Sequence, residues 1–294
     1  MRVFQHWALG TATTKDGLLI QLWRGSNHSL EDAQNLAQAE AEKVAATTTA
    51  DTLSKSSQYT YQTRFIPEEI ISTFPGPNDD LLAAVTRNRY GALVLNTADV
   101  VFIDADIPSA GRKAPSGAAS SSGIFGWLFG NKTASTTAND PPPEDLRLQQ
   151  ICRAASEFPE LAFRVYRTKA GFRIVLLNRR LPPQDPLVQR LMTAFRADPD
   201  YQQLCKFQQS YRARLTPKPT YLKMAHPPFR YPESATWGRP SVEQWEREYE
   251  SKSQGFRVCQ PIQDIGPHGI DPEVEFLLGL HDQSCRASVD LPLA

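Results

Sequence analysis

Two carboxylates near the middle of the chain have the spacing of a metal-binding pair. Asp104 and Asp106 end the apolar run Val-Val-Phe-Ile-Asp-Ala-Asp at 100–106, a pattern typical of a β-strand. Residues two apart in a strand point to the same side, so both carboxylates are expected on one face at the carboxyl end of the strand. Hard oxygen ligands suit Mg²⁺ or Mn²⁺ held near phosphate groups. The pair therefore predicts catalytic, metal-binding aspartates.

Basic side chains are concentrated in a later segment of the chain. The net charge is zero, yet residues 161–223 contain thirteen Lys and Arg and only three Asp. Such a field attracts polyanions to one face of a protein, and it leaves nucleotides, nucleic acid and an acidic protein partner as alternatives. The side chains predicted to contact phosphate are Arg164, Arg167, Lys169, Arg212, Arg214 and Lys218.

These charges have two interpretations. In the first, the arginines neutralise an anionic substrate, a nucleotide or nucleic acid, that is bridged to a metal ion at Asp104 and Asp106. In the second, the aspartates pair with the arginines in an ion network of purely structural value, and the chain is a non-catalytic interaction or scaffold protein. The sequence leaves both open.

The order of the elements resembles the catalytic core of archaeo-eukaryotic primase-polymerases. The resemblance is carried by Phe-Ile-Asp-Ala-Asp at 102–106 and by Arg-Thr-Lys-Ala-Gly-Phe-Arg at 167–173, and it covers about a quarter of the chain. It implies metal-dependent nucleotidyl transfer. In that superfamily a His that contacts the incoming nucleotide follows the Gly-aromatic pair, and Arg173 holds that position here. The resemblance thus adds Arg173 to the catalytic residues, whereas no residue after Asp106 matches the third acid of that superfamily.

The chain as a whole looks like a family of uncharacterised bacterial proteins, which implies no activity. The runs that carry this second resemblance are Thr-Arg-Asn-Arg-Tyr-Gly-Ala-Leu-Val-Leu-Asn at 86–96, the hairpin at 164–173 and Tyr-Arg-Ala-Arg-Leu-Thr-Pro-Lys-Pro at 211–219.

Other catalytic and metal motifs are missing from the sequence. There is no phosphate loop ending in Gly-Lys-Ser/Thr, no Gly-x-Ser-x-Gly and no His-Glu-x-x-His. The four cysteines lie far apart, so free thiols in a reducing compartment are expected, and no two histidines have ligand spacing. No window of about 18 apolar residues occurs and no secretory signal is recognised, which predicts a cytoplasmic protein.

Pattern and turn signals predict an α+β fold with a largely antiparallel central sheet flanked by helices. Residues 1–50 read as a hairpin and helix, with a turn at Asp16-Gly17 and an N-cap at Ser29, packed on the main domain. The main domain comprises 60–108 and 144–294. Within it, a short helix is expected at 67–71, and strands at 92–96 and 100–106 are expected to be antiparallel neighbours because only three residues join them.

A low-complexity segment interrupts the predicted main domain. Residues 109–143 are rich in Ala, Ser, Gly, Thr and Pro, a composition that cannot form a core and predicts a disordered insert. The insert contains one apolar patch, Phe125, Trp127 and Phe129, which is expected to dock on the body, bind a protein partner or touch a membrane surface.

Overall fold

The computed structural model describes residues 1–49, 65–76, 80–107, 142–236 and 238–294. Its described helices and its three antiparallel sheets confirm the predicted α+β class. The predicted insert, with its apolar patch, lies outside these residues except for positions 142 and 143. Among the described helices, none has the length and apolar character needed to cross a membrane.

The N-terminal hairpin and helix are formed as predicted. Strands β1 (His6–Thr13) and β2 (Leu19–Ser26) pair antiparallel, and helix α1 (Leu30–Thr47) packs on them. The hydroxyl of Ser29 accepts a hydrogen bond from the backbone N–H of Asp32 at 3.0 Å, which caps the helix. The helix presents small side chains to the hairpin, a face made of Ala33, Ala37, Ala41 and Ala45.

The first four-stranded sheet has the order β3-β4-β5-β9. Its strands are β3 (Glu69–Pro75), β4 (Leu81–Arg87), β5 (Leu93–Thr97) and β9 (Tyr211–Arg214). The helix predicted at 67–71 is therefore wrong, because Glu69 already begins a strand. Its residues have extended backbone because they pair with β4, and the β-branched pair at 70–71 favours that state.

The second sheet has the order β10-β7-β8-β6. It contains β6 (Phe102–Asp106), β7 (Phe163–Thr168), β8 (Gly171–Leu176) and β10 (Cys259–Ile265). Strands β5 and β6 are thus not neighbours, contrary to the expectation. Strand β5 is buried on both faces, and β6 is buried on one face and at Phe102 on the other, so their apolar runs do not specify a partner, and the short connection carries the chain from one sheet to the other.

The remaining described helices pack around the two sheets, and one of them lines the candidate site. They are α2 (Pro143–Ser156), α3 (Pro186–Ala194), α4 (Pro199–Gln208), α5 (Glu233–Thr236), α6 (Arg239–Ser253) and α7 (Pro272–Cys285), with a 3₁₀ turn at Pro219–Leu222. A single hydrophobic cluster includes Leu95 of the first sheet, Ile103 and Ile174 of the second, and Leu277 of α7. The two sheets therefore share a core.

Candidate functional site

The edge strands β6 and β9 of the two sheets lie side by side, and a cleft opens beside them. Helix α4 joins the edges through Tyr201, whose hydroxyl donates to the carbonyl of Phe102 at 2.8 Å and accepts from the N–H of Arg212 at 3.3 Å. The cleft has a volume of about 390 Å³. Six of the nine residues predicted to act at the site line it: Asp104, Asp106, Arg173, Arg212, Arg214 and Lys218.

Asp104 and Arg173 form an ion pair at the floor of the cleft. They are register partners across β6 and β8, and the Arg173 guanidinium donates from Nε to Oδ1 at 2.9 Å and from Nη2 to Oδ2 at 3.4 Å. Only 1% of Arg173 is exposed. Burial lowers the pKa of Arg173, but the Asp104 carboxylate, with smaller contributions from Cys285 and Cys259, raises it, and the net shift is upward, so the group stays charged.

The remaining nitrogen of Arg173 is also occupied. Nη1 donates to the carbonyl of Arg214 at 3.0 Å and lies 3.0 Å from Nε2 of His281. The sequence predicts that Arg173 contacts a nucleotide; in this structure its donors are directed at protein groups. A contact with substrate would require it to exchange one of these partners.

Both predicted metal ligands face the cleft. Asp104 is half-buried, and Asp106, two residues along β6, is exposed. Two more carboxylates, Asp198 and Asp200 at the start of α4, line the same space. Among the described residues, however, none of these four belongs to a group of three ligand side chains within 4.8 Å of one another. An ion here would have Asp104 and Asp106 as ligands and would complete its shell with water and phosphate oxygens, which is the usual mode for Mg²⁺.

Arg212 is held by a second buried ion pair. Its Nη2 donates to both carboxylate oxygens of Glu68, at 2.7 and 2.9 Å, and its Nη1 donates to Asn96 at 2.9 Å. Thr86 donates to the same carboxylate at 2.6 Å. This arrangement holds the Arg212 side chain against Glu68 and Asn96 and leaves little of its charge for a ligand.

Arg214 has a different environment from the other arginines of the cleft. Its Nε is buried and has no hydrogen-bond partner within the described part of the chain. Burial lowers its pKa and the positive charge of Arg173 lowers it further, while the Asp104 carboxylate opposes this shift without reversing it. Lys218, exposed at the cleft margin, lies 5.7 Å from the ring centroid of Tyr221. Arg214 is thus a desolvated cation in the wall of an open cleft, a position that an anion would stabilise.

The other three predicted phosphate contacts do not line the cleft. Arg164 forms a bidentate pair with Asp264 of β10, with both distances 2.8 Å. Arg167 pairs with Glu144 of α2. Lys169 is exposed in the β7–β8 turn. Much of the basic segment is therefore neutralised by acids from other parts of the chain, which the local charge count does not reveal.

A buried Cys/His cluster lies directly behind Arg173, and the sequence interpretation missed it. Cys259, His281 and Cys285 are each fully buried, and one ligand atom from each lies within 4.8 Å of the others. The available signal was the pair His281 and Cys285, four residues apart and therefore on one face of α7. Cys259 comes from the start of β10, and no spacing rule would have connected it to them.

Comparison of the chain with protein-family models, with curated proteins and with solved structures found no match. The resemblances noted in the sequence therefore remain predictions, and the geometry of the cleft is the basis for a functional proposal.

Proposed function

We propose that the cleft between β6 and β9 binds the phosphate group of a nucleotide or nucleic acid. The observation that carries the proposal is Arg214, whose buried Nε lacks a hydrogen-bond partner among the described residues while its side chain lines an open cleft. Shielding a charge from water is costly, and the negative charge of a phosphate beside the guanidinium would offset part of that cost. Lys218 at the margin would add a second, more flexible contact.

The acidic side of the cleft gives the proposal a more specific form. Asp104, Asp106, Asp198 and Asp200 would repel a bare phosphate. A divalent cation held by Asp104 and Asp106 removes that repulsion, so phosphate and Mg²⁺ or Mn²⁺ are expected to bind together. When bound, such an ion supplies charge neutralisation for nucleotidyl transfer. Metal-dependent nucleotidyl transfer is thus the enzymatic form of the proposal.

Each protein group then has a distinct role. Arg214 and Lys218 bind the phosphate. Asp104 and Asp106 face the ion, and Arg173 orients Asp104 through its two hydrogen bonds to the carboxylate. In this scheme Arg173 is a positioning residue, not the nucleotide contact that the sequence predicts.

Fluorescence anisotropy tests the proposal with three labelled probes: single-stranded DNA, single-stranded RNA and a nucleoside triphosphate, each with and without Mg²⁺. We expect at least one probe to bind, Mg²⁺ to strengthen that binding, and Arg214→Gln to weaken it about tenfold or more, as is typical for a charged hydrogen bond. The control is Lys252→Gln, which removes the same charge from an exposed pair on α6. Absence of binding to all three probes would contradict the proposal.

A second candidate function rests on the two ion pairs. Arg173 pairs with Asp104, and Arg212 pairs with Glu68. Each of these charges therefore has its counter-ion inside the protein without a ligand. This favours a non-catalytic interaction protein in which the acids and arginines stabilise the fold. The two functions differ in their metal response: only the phosphate-binding cleft predicts that Mg²⁺ or Mn²⁺ raises the melting temperature, and that the Asp104→Asn/Asp106→Asn double variant loses the effect.

A further inference from the structure

The cluster behind Arg173 has the composition and spacing of a soft-metal site. Sγ of Cys259 lies 3.9 Å from Nε2 of His281, and the two sulfur atoms of Cys259 and Cys285 and one ring nitrogen of His281 all lie within 4.8 Å of one another. In a tetrahedral Zn²⁺ site, bonds of about 2.0–2.3 Å separate neighbouring ligand atoms by a little under 4 Å. The three atoms therefore need to approach one another by at most about 1 Å to share one ion.

His281 is oriented as a metal-binding histidine would be. Its Nδ1 lies 2.8 Å from Oδ1 of Asp282. Arg173 has only donors, so the Nε2 atom that faces its Nη1 at 3.0 Å carries no proton, and the ring proton is on Nδ1 and donated to Asp282. A carboxylate that fixes the distal nitrogen of a ligating His is the usual outer-shell arrangement of zinc sites.

Arg173 is the competing partner of Nε2. Its Nη1 lies 3.0 Å from that atom, so an ion on the Nε2 lone pair would displace Nη1, while the bonds from Nε and Nη2 to Asp104 could remain. Binding would displace the protons of two thiols, and a divalent ion with two thiolates and a neutral imidazole has no net charge. The ion would therefore add no net positive charge beside Arg173.

We propose that Cys259, His281 and Cys285 form a structural binding site for a thiolate-preferring divalent ion of the zinc class. Thiolate and imidazole ligands select such ions over Mg²⁺ and Mn²⁺. Full burial of all three ligands suits a structural role, and the carbonyl oxygen of Arg214, 3.6 Å from Sγ of Cys285, is near enough to supply a fourth donor. The ion links the start of β10 to the end of α7 and lies next to the arginine that orients Asp104.

Cobalt substitution of the full chain is the direct test. Purified protein is stripped with a chelator under reducing conditions and titrated with Co²⁺, then Zn²⁺. We expect one Co²⁺ per chain, with the intense visible d–d bands and the near-ultraviolet charge-transfer band of tetrahedral thiolate coordination, and displacement of Co²⁺ by Zn²⁺. Cys285→Ser should abolish the charge-transfer band or greatly reduce it. The matched control, Cys205→Ser, alters a buried thiol of α4 outside the cluster and should leave the spectrum unchanged.

A second variant keeps the test decisive if Cys285→Ser does not fold. Asp282→Asn leaves all three ligands in place and alters a half-buried side chain, and it should weaken Co²⁺ binding about 10–100-fold, as outer-shell substitutions do. A folded wild-type protein with no thiolate–cobalt band at excess Co²⁺ would overturn the proposal. That result would have no bearing on phosphate binding in the cleft.

Discussion

Arg173 and Asp104 lie 69 residues apart and are opposite each other in the register of β8 and β6, with the guanidinium Nε 2.9 Å from the carboxylate Oδ1. The arginine is fully buried, whereas the side chain of Asp104 is 38% exposed toward the cleft. Asp104 thus contacts Arg173 and can also reach a ligand in the cleft. Substitutions of this one residue therefore test both the catalytic and the structural interpretation of the pair.

Replacing the carboxylate of Asp104 should destabilise the protein. Asp104→Asn leaves the buried charge of Arg173 without its counter-ion, and we expect a loss of the order of 3 kcal/mol in the free energy of unfolding, measured with urea in metal-free buffer. Asp106→Asn is the matched control, since this exposed carboxylate should change stability by less than about 0.5 kcal/mol. An Asp104→Asn variant as stable as wild type would show that repulsion among the cleft acids outweighs the ion pair.

Arg212 should act on stability through Glu68. Arg212→Met removes the partner of a nearly buried carboxylate, for which we expect a cost of about 3 kcal/mol. Glu68→Gln in the same background should restore part of that loss, because the unpaired charge disappears. The double-mutant cycle measured by urea unfolding gives the coupling energy. Additive effects of the two substitutions would contradict the pairing.

Gly171 should be required for the close approach of β8 to β6. A Cβ at this position would lie 2.7 Å from Cα of Asp106 and closer still to the carbonyl oxygen of Ala105. Gly171→Ala is expected to destabilise the protein by about 1–3 kcal/mol, as overpacking does. Gly279→Ala in α7, where a Cβ meets nothing within 4 Å, should instead stabilise it by roughly 1 kcal/mol. Equal effects of both changes in thermal unfolding would refute this account.

Asp99 should make stability depend on pH. Burial raises its pKa above the ordinary value of 3.8; Arg180 opposes this shift, and Asp271 and Glu273 add to it. A raised folded-state pKa means that the stabilising contribution is present below the unfolded pKa and is lost as the pH rises through the folded pKa. Asp99→Asn should therefore gain stability over wild type as the pH rises from about 4 toward 7, measured by urea unfolding at each pH. If Asp99→Asn instead lost stability relative to wild type over that pH range, the result would contradict this prediction.

The sequence predicted local structure well where turns and caps determine it. The Asp16-Gly17 hairpin and the Ser29 cap are both confirmed, because those signals depend on a few adjacent residues. Strand partners could not be predicted in the same way, because the apolar runs of β5 and β6 are mostly buried and do not indicate which neighbour each strand takes.

Part of the site could also be predicted from local sequence, because side chains two residues apart in a strand lie on the same face. Alternation within β6 and β9 correctly directs Asp104 and Asp106, and Arg212 and Arg214, toward one cleft. The sequence could not reveal that Glu68 neutralises Arg212 while Arg214 keeps a buried nitrogen without a partner among the described residues, because these facts depend on long-range contacts.

The salt dependence of single-stranded DNA binding by Arg214→Gln tests the central claim most directly. Each lost phosphate contact lowers the slope of log K against log salt by about 0.7 for a single strand. We predict that decrease for Arg214→Gln, with no loss of stability because burial and Arg173 already disfavour its charge, and an unchanged slope for Lys252→Gln. Equal slopes for wild type and Arg214→Gln would contradict phosphate binding in the cleft.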